Sequence, residues 1–224
     1  MSSSNLDAAT ADIILRSRQT ILDILEDRGY DTAQYRNIAP DQILTLAGRH
    51  ARALDIFAPK REGSAAPCER AVVIYNLRDN IRSRLATGGF VSMVYDSYDG
   101  TDQLRINKTD DVIVIINEPY NEAFDKMALS MWQTEKARMT FFHLKHVVVH
   151  MGRHVLVPPH RKLTPEETKA EMERLHVTQK LQLPLIKHSD MQARLLGLVP
   201  GDVVEILRPS PTAGVARVLR VCSS

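Results

Sequence analysis

Residues 183–221, LPLIKHSDMQARLLGLVPGDVVEILRPSPTAGVARVLRV, contain several backbone signals in one short stretch. Ser189 or Asp190 can cap a short helix over residues 191–196, because a side-chain oxygen there accepts a hydrogen bond from an amide of the first turn. Gly197 predicts the end of this helix, since glycine adopts a positive φ at little steric cost. Leu198 follows as the apolar contact that accompanies such an ending.

The second half of the stretch predicts a β-hairpin. Pro200 and Gly201 have the order of a type II turn, in which proline fixes φ at the second position and glycine supplies the positive φ of the third. A strand should begin near Asp202, in a run rich in β-branched residues. Residues 209–214 interrupt the pattern, and residues 215–221 predict the second strand. A helix, a turn and a hairpin within forty residues are typical of a small assembly module.

Another helix is expected before this module. Thr164, Pro165 and Glu167 predict a capping box with proline at the first helical position, in which the hydroxyl and the carboxylate satisfy backbone amides reciprocally. Glu166 and Glu167 also place negative charge where the helix dipole favours it. The helix should extend to about Leu175. A boundary is predicted upstream, near residues 146–152, so that residues 1–148 and 149–224 form separate domains.

The amino-terminal region alternates helical and strand patterns. Residues 6–28 have apolar side chains at helical spacing, and Gly29 predicts the end of that helix. Residues 40–51 predict a second helix. Residues 58–67 predict a loop between a weak strand at 53–57 and a stronger one at 71–75. Residues 81–104 fit either a helix or a strand by periodicity alone.

Residues 111–117 form a nearly continuous apolar run, typical of a strand buried on both faces of an α/β layer, and Asp110 and Asp111 are interpreted as its polar entry. Residues 138–149 predict another strand. The fold class is expected to be α+β or α/β, with a helical and α/β amino-terminal domain and a small carboxy-terminal α+β domain containing a β-hairpin. A helix over residues 120–133 should cover the sheet with Ala123, Met127, Leu129 and Met131.

The composition is that of an ordinary folded protein, with 44% hydrophobic and 25% charged residues in 224. No apolar run approaches the roughly 20 residues of a spanning helix, and the start of the chain does not resemble a secretory signal, so an intracellular protein without membrane contact is expected. Cys68 and Cys222 predict unpaired thiols. The net charge of +2 argues against autonomous nucleic-acid binding. Residues 150–224 carry 11 Lys and Arg against 7 Asp and Glu, and the remainder carries 18 against 20.

No catalytic or cofactor motif is recognisable, since GxxxxGK[ST], GxGxxG and GxSxG are all missing from the sequence. Gly88 and Gly89 are interpreted as a turn. Neither an enzyme nor a bound cofactor or small-molecule substrate is expected. Five histidines fall within residues 143–160, but valine runs and two prolines interrupt the helical spacing that a metal site there would need. His154 and His160 are therefore interpreted as hydrogen-bonding residues of an interface, and a metal-dependent hydrolase is kept as an alternative.

Several short motifs are distributed over both ends of the chain. Those of the carboxy-terminal half are His-x-Leu-Val-Pro-x-His at 154–160, Leu-Thr-x-Glu-Glu at 163–167, Leu-Pro at 183–184, Asp…Ala-Arg…Gly-Leu at 190–198 and Arg-Pro-Ser-x-Thr-Ala-Gly at 208–214. Together with residues 18–30, which end in Asp-Arg-Gly-Tyr, they resemble the fifth subunit shared by the eukaryotic nuclear RNA polymerases, whose carboxy-terminal domain exists alone as a small subunit of the archaeal RNA polymerase. From about residue 31 to 138 the resemblance is in pattern only, and it favours a helix at 81–104.

The resemblance implies a non-catalytic subunit of a nuclear DNA-dependent RNA polymerase, with catalysis on partner chains. Its carboxy-terminal domain would dock on the largest subunit and contact neighbouring subunits. Its jaw-like amino-terminal domain would lie near downstream duplex DNA, within the complex only. The residues implied in docking are His154, Pro158, His160, Leu183, Pro184, Asp190, Arg194, Gly197, Leu198, Gly201, Arg208, Ser210, Thr212, Gly214 and Arg220. Those implied near DNA are Lys108, Asn117, Glu118, Tyr120 and Asn121.

The partner is also expected to cover aliphatic surface beside the docking arginines. In a module this small, Arg194, Arg208 and Arg220 either face water or pair across an interface. Association through them would hide Leu195, Leu196 and Leu198. The alternative function is a free adaptor that uses the same docking module without a polymerase.

Some positions depart from the family's pattern. Leu185 and Met191 stand where the family has arginine and proline, and Val215 and Ala216 replace basic and aromatic residues. Such lost polar contacts suggest a version restricted to one polymerase, which would be nucleolar rather than generally nuclear if that is polymerase I. Glu118 replaces a small or hydroxyl residue, and its carboxylate would repel DNA phosphates, so a solvent-exposed turn is the alternative at that loop.

Overall fold

The computed structural model describes residues 8–39, 42, 43, 45, 46, 52–77, 81–85, 89–95 and 105–224. The chain divides into two compact units, Met1–Val149 and His150–Ser224. Each contains helices and one four-stranded sheet, which confirms the predicted α+β class. None of the helices in the described ranges is both long enough and apolar enough to cross a bilayer.

The sheet of the first unit is mostly parallel. Its strands are β1 (Ile56–Pro59), β2 (Arg70–Asn76), β3 (Asp111–Ile116) and β4 (Arg138–His143), in the order β1-β2-β3-β4. β2, β3 and β4 run parallel, and β1 is antiparallel to β2 at the edge. Every residue of β3 is buried, as its continuous apolar sequence predicts for a central strand covered on both faces.

Helix α1 (Ala8–Asp27) begins the described chain, and the predicted start at residue 6 lies outside the described residues. Its buried side includes Ile14, Ile21 and Leu25, in agreement with the predicted apolar face. Gly29 follows the helix at φ 95°, and the amide of Tyr30 donates to the carbonyl of Leu25 at 2.9 Å. This hydrogen bond across the glycine closes the last turn and confirms the predicted end.

Three further helices cover the sheet of this unit. They are α2 (Arg82–Leu85), α3 (Gly89–Tyr95) and α4 (Glu122–Glu135). The helix favoured over the strand at 81–104 is confirmed in its described part, while residues 86–88 and 96–104 lie outside the described residues. The turn predicted at Gly88 and Gly89 is wrong at Gly89, which begins α3. Residues 42, 43, 45 and 46 are helical, and the rest of the helix predicted at 40–51 lies outside the description. The apolar interior joins α3 and α4 to the sheet through Phe90, Phe124 and Phe141.

Four details of the first unit differ from the sequence predictions. β1 lies at Ile56–Pro59 rather than 53–57, because the predicted loop residues Ala58 and Pro59 pair with β2. β4 ends at His143, whose ring accepts from the amide of Lys145 and starts a 3-10 turn over Leu144–Val147 instead of continuing the strand. α4 begins at Glu122 rather than residue 120, because Asn121 caps it. The residues that α4 buries are Phe124, Ala128 and Met131, whereas Leu129 is only half-buried.

Two acidic residues at the start of β3 are paired with arginines, which the sequence did not predict. Asp111 accepts from Arg28 at 2.9 Å and from the hydroxyl of Tyr30 at 3.3 Å, and Asp110 accepts from Arg70 at 2.6 Å. The acidic pair is therefore more than a polar entry to β3. Since an isolated charge is costly to bury, these partners are required for Asp111 to occupy the interior.

A second polar cluster lies between α1 and the edge of the sheet. Asp55, at the entry to β1, accepts from the amide of Tyr75 at 3.1 Å, and Arg18 of α1 donates to the carbonyl of Leu54 at 2.6 Å. All three side chains are almost fully buried. Burial raises the pKa of Asp55 to about 7, although the Tyr75 amide and the guanidinium groups of Arg52 and Arg18 act in the opposite direction.

The sheet of the second unit has the strand order β5-β7-β8-β6. β7 and β8 form the predicted antiparallel hairpin, while β5 pairs with β7 and β6 runs parallel to β8. Two buried aliphatic clusters lie among these elements. The elements are β5 (His160–Lys162), α5 (Pro165–Arg174), β6 (Leu185–Lys187), α6 (Met191–Leu195), β7 (Val203–Ser210) and β8 (Gly214–Ser223).

Candidate docking site

Helix α6 is defined at both ends by the residues that its sequence predicts. Asp190 is the cap, and its carboxylate accepts from the amide of Gln192 at 2.8 Å. Gly197 follows at φ 61°, and the amide of Leu198 donates to the carbonyl of Ala193 at 2.8 Å. These bonds satisfy backbone groups at both termini of a helix that is too short to be stable alone.

The turn between α6 and β7 is closed by backbone and side-chain bonds. The amide of Asp202 donates to the carbonyl of Val199 at 3.0 Å, with Gly201 at φ 94°, as a type II turn requires. The carboxylate of Asp202 accepts in turn from the amide of Val199 at 2.9 Å and from Lys162 at 2.6 Å. Asp202 thereby connects the turn to β5, a role that the sequence did not indicate.

The hairpin is longer than predicted. Pro209 and Ser210, placed in the turn by the sequence, continue β7 and pair with Val215 and Gly214. Proline is tolerated there because β5 pairs with β7 only up to Ile206, which leaves that side of Pro209 without a neighbouring strand. The connection therefore shortens to residues 211–213, where the amide of Ala213 donates to the hydroxyl of Ser210 at 3.3 Å.

A network of ion pairs joins α5 to both hairpin strands. Glu205 of β7 accepts from Arg161 at 2.9 Å and from Arg217, and Arg217 also contacts Glu171 at 2.7 Å. Burial alone would raise the pKa of Glu205, but the hydrogen bonds from Arg217 and Arg161 outweigh it and lower that pKa below its ordinary value. Arg161 also pairs with Glu167, the capping-box residue of α5.

The predicted docking residues divide by burial. Leu183 and Leu198 lie inside the unit, so they support a surface rather than form one, and this corrects their assignment as contact residues. Leu195 is also buried, because α6 turns it inward, and it is not available to a partner as predicted. Exposed are His154, Pro184, Asp190, Arg208, Thr212 and Gly214, and half-buried are Pro158, His160, Arg194, Gly197, Gly201, Ser210 and Arg220.

The docking arginines occupy different environments. Arg208 is exposed on the hairpin, whereas Arg220 is half-buried and donates to the carbonyl of Leu185 at 2.8 Å.

The aliphatic side chains that do face solvent in this unit lie elsewhere. The sequence did not predict their exposure, since exposure depends on neighbours that are distant in sequence. They are Val155, Leu156, Leu175, Leu181, Leu185, Leu207 and Val215.

The two histidines assigned to an interface make local bonds. Nδ1 of His154 accepts from the amide of Leu156 at 3.2 Å, and Nδ1 of His160 donates to the carbonyl of Pro158 at 2.6 Å. Their roles toward a partner stay a prediction. In the described part of the chain, no three His, Cys, Asp or Glu side chains are arranged to hold a metal ion.

The loop after β3 in the first unit is held by its own contacts. Glu118 accepts from the amide of Ile81 at 2.9 Å, Asn121 caps α4, and the hydroxyl of Tyr120 donates to Asp125 at 2.6 Å. Lys108 pairs with Glu135 at 2.7 Å, and Asn117 is exposed. Glu118 thus has an intramolecular role at the start of α2, and both the contact near DNA and the alternative of a solvent-exposed turn stay predictions.

Comparison with known proteins agrees with the position of these motifs. Residues 149–222 match the family model described as RNA polymerase Rpb5, C-terminal domain. Subunit Rpo5 of the DNA-directed RNA polymerase of Pyrococcus abyssi is 54% identical over 69 residues, which cover 31% of this chain and 83% of the relative.

Similarity to a eukaryotic relative extends over both units. The subunit rpabc1 of DNA-directed RNA polymerases I, II and III from Dictyostelium discoideum is 28% identical over 210 residues, covering 93% of this chain and 96% of the relative. RPABC1 of Caenorhabditis briggsae is 42% identical over 79 residues, covering 35% and 37%.

These relatives identify the class of protein. They are non-catalytic subunits of multisubunit polymerases, and the eukaryotic ones are named for polymerases I, II and III, which implies a nuclear location. The motifs quoted from both ends of the sequence lie within the matched regions. The chain belongs to the Rpb5 family of RNA polymerase subunits.

Proposed function

We propose that this chain assembles into a nuclear DNA-dependent RNA polymerase by docking on its largest subunit through residues 150–224. One observation carries the proposal. The 69 matched residues make up 83% of the Pyrococcus relative, so that polymerase subunit consists of little besides this unit. The contacts that make the relative a polymerase subunit are therefore expected within it, and its 54% identity here supports the same use in this chain.

The architecture of the second unit supports this role. The unit is held together by its own aliphatic clusters, capped helices and ion pairs, so its surface is already formed before a partner binds. A preformed surface binds without the entropic cost of ordering its backbone first. The exposed docking residues Pro184, Asp190 and Arg208 would contact the partner, while Leu183 and Leu198 hold the backbone beneath them.

The first unit is proposed to lie near downstream DNA without binding it independently. Its lysine at position 108 and its loop after β3 are engaged in contacts of the unit itself, which supports a positioning surface rather than a high-affinity site. In the loop after β3, Asn117 is exposed, whereas Glu118, Tyr120 and Asn121 are half-buried. Replacing Lys108 and Asn117 by alanine together should weaken retention of downstream duplex by the whole polymerase severalfold, and unchanged retention would contradict this part.

We also propose that the chain serves one polymerase preferentially. Leu185 and Val215, which replace polar residues of the family's pattern, are both exposed. Met191 and Ala216 are half-buried. An exposed apolar residue in place of a charged one changes the partner that fits, because it removes a hydrogen bond and favours an apolar neighbour.

Affinity purification of the tagged full-length chain from its own cells tests the proposal. The expected result is recovery of the largest subunit of a nuclear polymerase in stoichiometric amount, in a very large complex. Equal recovery of the largest subunits of polymerases I, II and III would contradict the restriction to one of them. Recovery without any polymerase subunit would contradict the whole proposal and favour the free adaptor.

A further inference from the structure

Two prolines of the chain directly follow a residue that carries a hydroxyl group. The dipeptides are Thr164-Pro165 and Ser210-Pro211. Serine or threonine followed by proline is the minimal sequence that proline-directed protein kinases phosphorylate, because proline has no N–H to leave unsatisfied in the kinase cleft. The two hydroxyls are equivalent by sequence, so their surroundings in the fold decide which of them a kinase can reach.

The hydroxyl of Thr164 is held inside the capping box of α5. It accepts from the amide of Glu167 at 3.2 Å, while the carboxylate of Glu167 accepts from the amide of Thr164 at 2.8 Å. Pro165 is already the first residue of the helix. A kinase binds its substrate segment in an extended conformation, so phosphorylation of Thr164 would require the first turn of α5 to unwind and both cap bonds to break.

Ser210 lies instead at the end of the hairpin, where the ribbon has two strands only. β5 pairs with β7 as far as Ile206, and β6 pairs with β8 from Val221 onward. Residues 208–210 therefore pair with residues 214–216 and with no third strand of the described chain. A two-stranded ribbon is marginally stable in water, so its end opens at low cost. Residues 211–213, which follow Ser210, are all exposed.

A cation that can bind a phosphate lies on the same face of this ribbon. Side chains alternate along a strand, so Arg208 and Ser210 point to one face, about 7 Å apart at roughly 3.3 Å per residue. Their cross-strand neighbours, Ala216 and Gly214, are small and leave that face open. Arg208 is exposed, and its guanidinium has no hydrogen-bond or ion-pair partner in the described part of the chain. Arginine forms bidentate, charge-assisted hydrogen bonds with phosphate oxygens.

We propose that Ser210 of the unassembled chain is phosphorylated by a proline-directed kinase and that Arg208 binds the phosphate once it is attached. In the kinase, Oγ of Ser210 forms a bond to the γ-phosphorus of ATP, the bond from that phosphorus to the β,γ-bridging oxygen breaks, and ADP leaves. The hydroxyl proton goes to the catalytic aspartate of the kinase. The chain itself contributes only the Ser210 hydroxyl to this reaction.

The expected consequence for docking rests on the function proposed above, because Arg208, Ser210 and Thr212 are all among the docking residues. A phosphate adds a charge of about −1.5 to −2 at neutral pH and occupies the arginine. The phosphorylated chain would therefore present a negative group where the unmodified chain presents a free guanidinium, so docking should weaken. Docking would in turn cover Ser210, so phosphorylation and assembly oppose one another.

Phosphorylation of the purified full-length chain tests the site itself. The chain is incubated with ATP and a purified mitogen-activated or cyclin-dependent kinase, and the modified residues are located by mass spectrometry. Ser210 should be phosphorylated, and Thr164 should react at least about tenfold more slowly because its cap bonds must break first. Ser210→Ala should abolish phosphorylation of the hairpin, whereas Thr212→Ala should leave it unchanged. No phosphate on Ser210 from either kinase, or faster reaction of Thr164, overturns the proposal.

The pairing with Arg208 has a separate readout. A nearby guanidinium favours the doubly ionised phosphate, so it should lower the second pKa of the phosphate below its ordinary value of about 6. The phosphorus chemical shift, followed by NMR through a pH titration of the phosphorylated chain, measures this pKa. Arg208→Gln should raise it toward about 6, whereas Lys187→Gln, at an exposed cation of β6, should not change it. Equal pKa values for the wild type and Arg208→Gln overturn the pairing.

A comparison of the two forms in docking separates this inference from the proposed function. The phosphorylated full-length chain and the same sample after phosphatase treatment are tested for binding to polymerase that lacks the subunit. The phosphorylated form should bind at least about tenfold more weakly. Equal affinity overturns the effect on docking. If the phosphatase-treated chain does not bind polymerase, the proposed function fails, whereas the phosphorylation of Ser210 and its pairing with Arg208 are decided by the first two measurements.

Discussion

The two units use the same charged residue types in opposite ways. In the first, Arg28 and Asp111 are each 2% exposed and bond one another beneath α1. In the second, the side chain of Glu205 is also mostly buried, but its partners Arg161 and Arg217 remain 54% and 35% exposed. Loss of the carboxylate leaves a buried guanidinium in the first case but partly solvated guanidinium groups in the second, so similar distances correspond to very different energies.

Aromatic residues are divided just as unevenly. Residues 150–224 contain no Phe, Tyr or Trp, whereas the single tryptophan, Trp132, belongs to α4 of the first unit. Tryptophan fluorescence therefore reports unfolding of the first unit alone. Hydrogen exchange of peptides from β7 and β8 reports on the second, and together they allow each region to be tested separately.

The largest effect is expected from Asp111→Ala. Removing one partner of a buried pair leaves Arg28 charged in the interior, so the free energy of unfolding of the first unit should fall by about 3–5 kcal/mol. Urea denaturation followed by Trp132 fluorescence measures it. A loss below about 1 kcal/mol would show that Arg28 reaches water, and the comparison between the two units would then fail.

The stability of the two units should change with pH in opposite directions. In the first unit the change comes from Asp55. Its pKa is raised from 3.8 to about 7 by burial, so the unfolded chain ionises first as the pH rises. Its contribution to stability is therefore complete below about pH 4 and is lost as the pH approaches 7, an effect of at most about 4 kcal/mol. Asp55→Asn should flatten the dependence of the urea midpoint of Trp132 fluorescence between pH 5 and 7.

Glu205 provides the opposite case in the second unit. Its pKa is lowered by Arg217 and Arg161 against the effect of burial, so its contribution is present above the ordinary glutamate pKa of 4.5 and is lost as the pH falls through the lowered value. Acid should therefore weaken protection of β7 from hydrogen exchange. If the stability of both units changed with pH in the same direction, the contrast between Asp55 and Glu205 would be wrong.

Replacing one glycine in each unit should cause stability losses of intermediate size. Gly29 has φ 95°, and a Cβ there would lie 2.9 Å from Cβ of Ser64, whereas Gly214 has φ 67° with nothing within 4 Å. Gly29→Ala should cost about 2 kcal/mol or more, from backbone strain and collision, and Gly214→Ala about 1 kcal/mol from strain alone. Fluorescence measures the first loss and hydrogen exchange the second. Equal losses of stability would mean that Ser64 moves away from the added Cβ.

The smallest effect is expected from Glu205→Gln. Its arginine partners remain in contact with water, so the second unit should lose only about 1 kcal/mol, and most of that loss should disappear in 1 M salt. Exchange protection of β7 at low and high salt measures it. The cost of Asp111→Ala should barely change with salt, and a strong salt dependence there would remove the distinction between the two sites.

Local signals in the sequence are enough to predict most elements of both units. The capping box at Thr164, the ends of α1 and α6 at Gly29 and Gly197, and the central strand β3 each depend on neighbouring residues, and the structure confirms each of them. The errors lie where pairing across the sheet decides the outcome. Ala58 and Pro59 became strand because β2 pairs with them, and Pro209 and Ser210 because β8 does.

The sequence by itself therefore determined the class of fold, the local caps and turns, and the motifs that connect the chain to its family. Tertiary structure alone decided which charges are buried and which aliphatic residues are exposed. Asp111 meets Arg28 across 83 positions, and Leu195 and Leu198 turn inward while Val155 and Leu156 remain in water. Burial is a property of the assembled chain, because it depends on residues that only folding brings together.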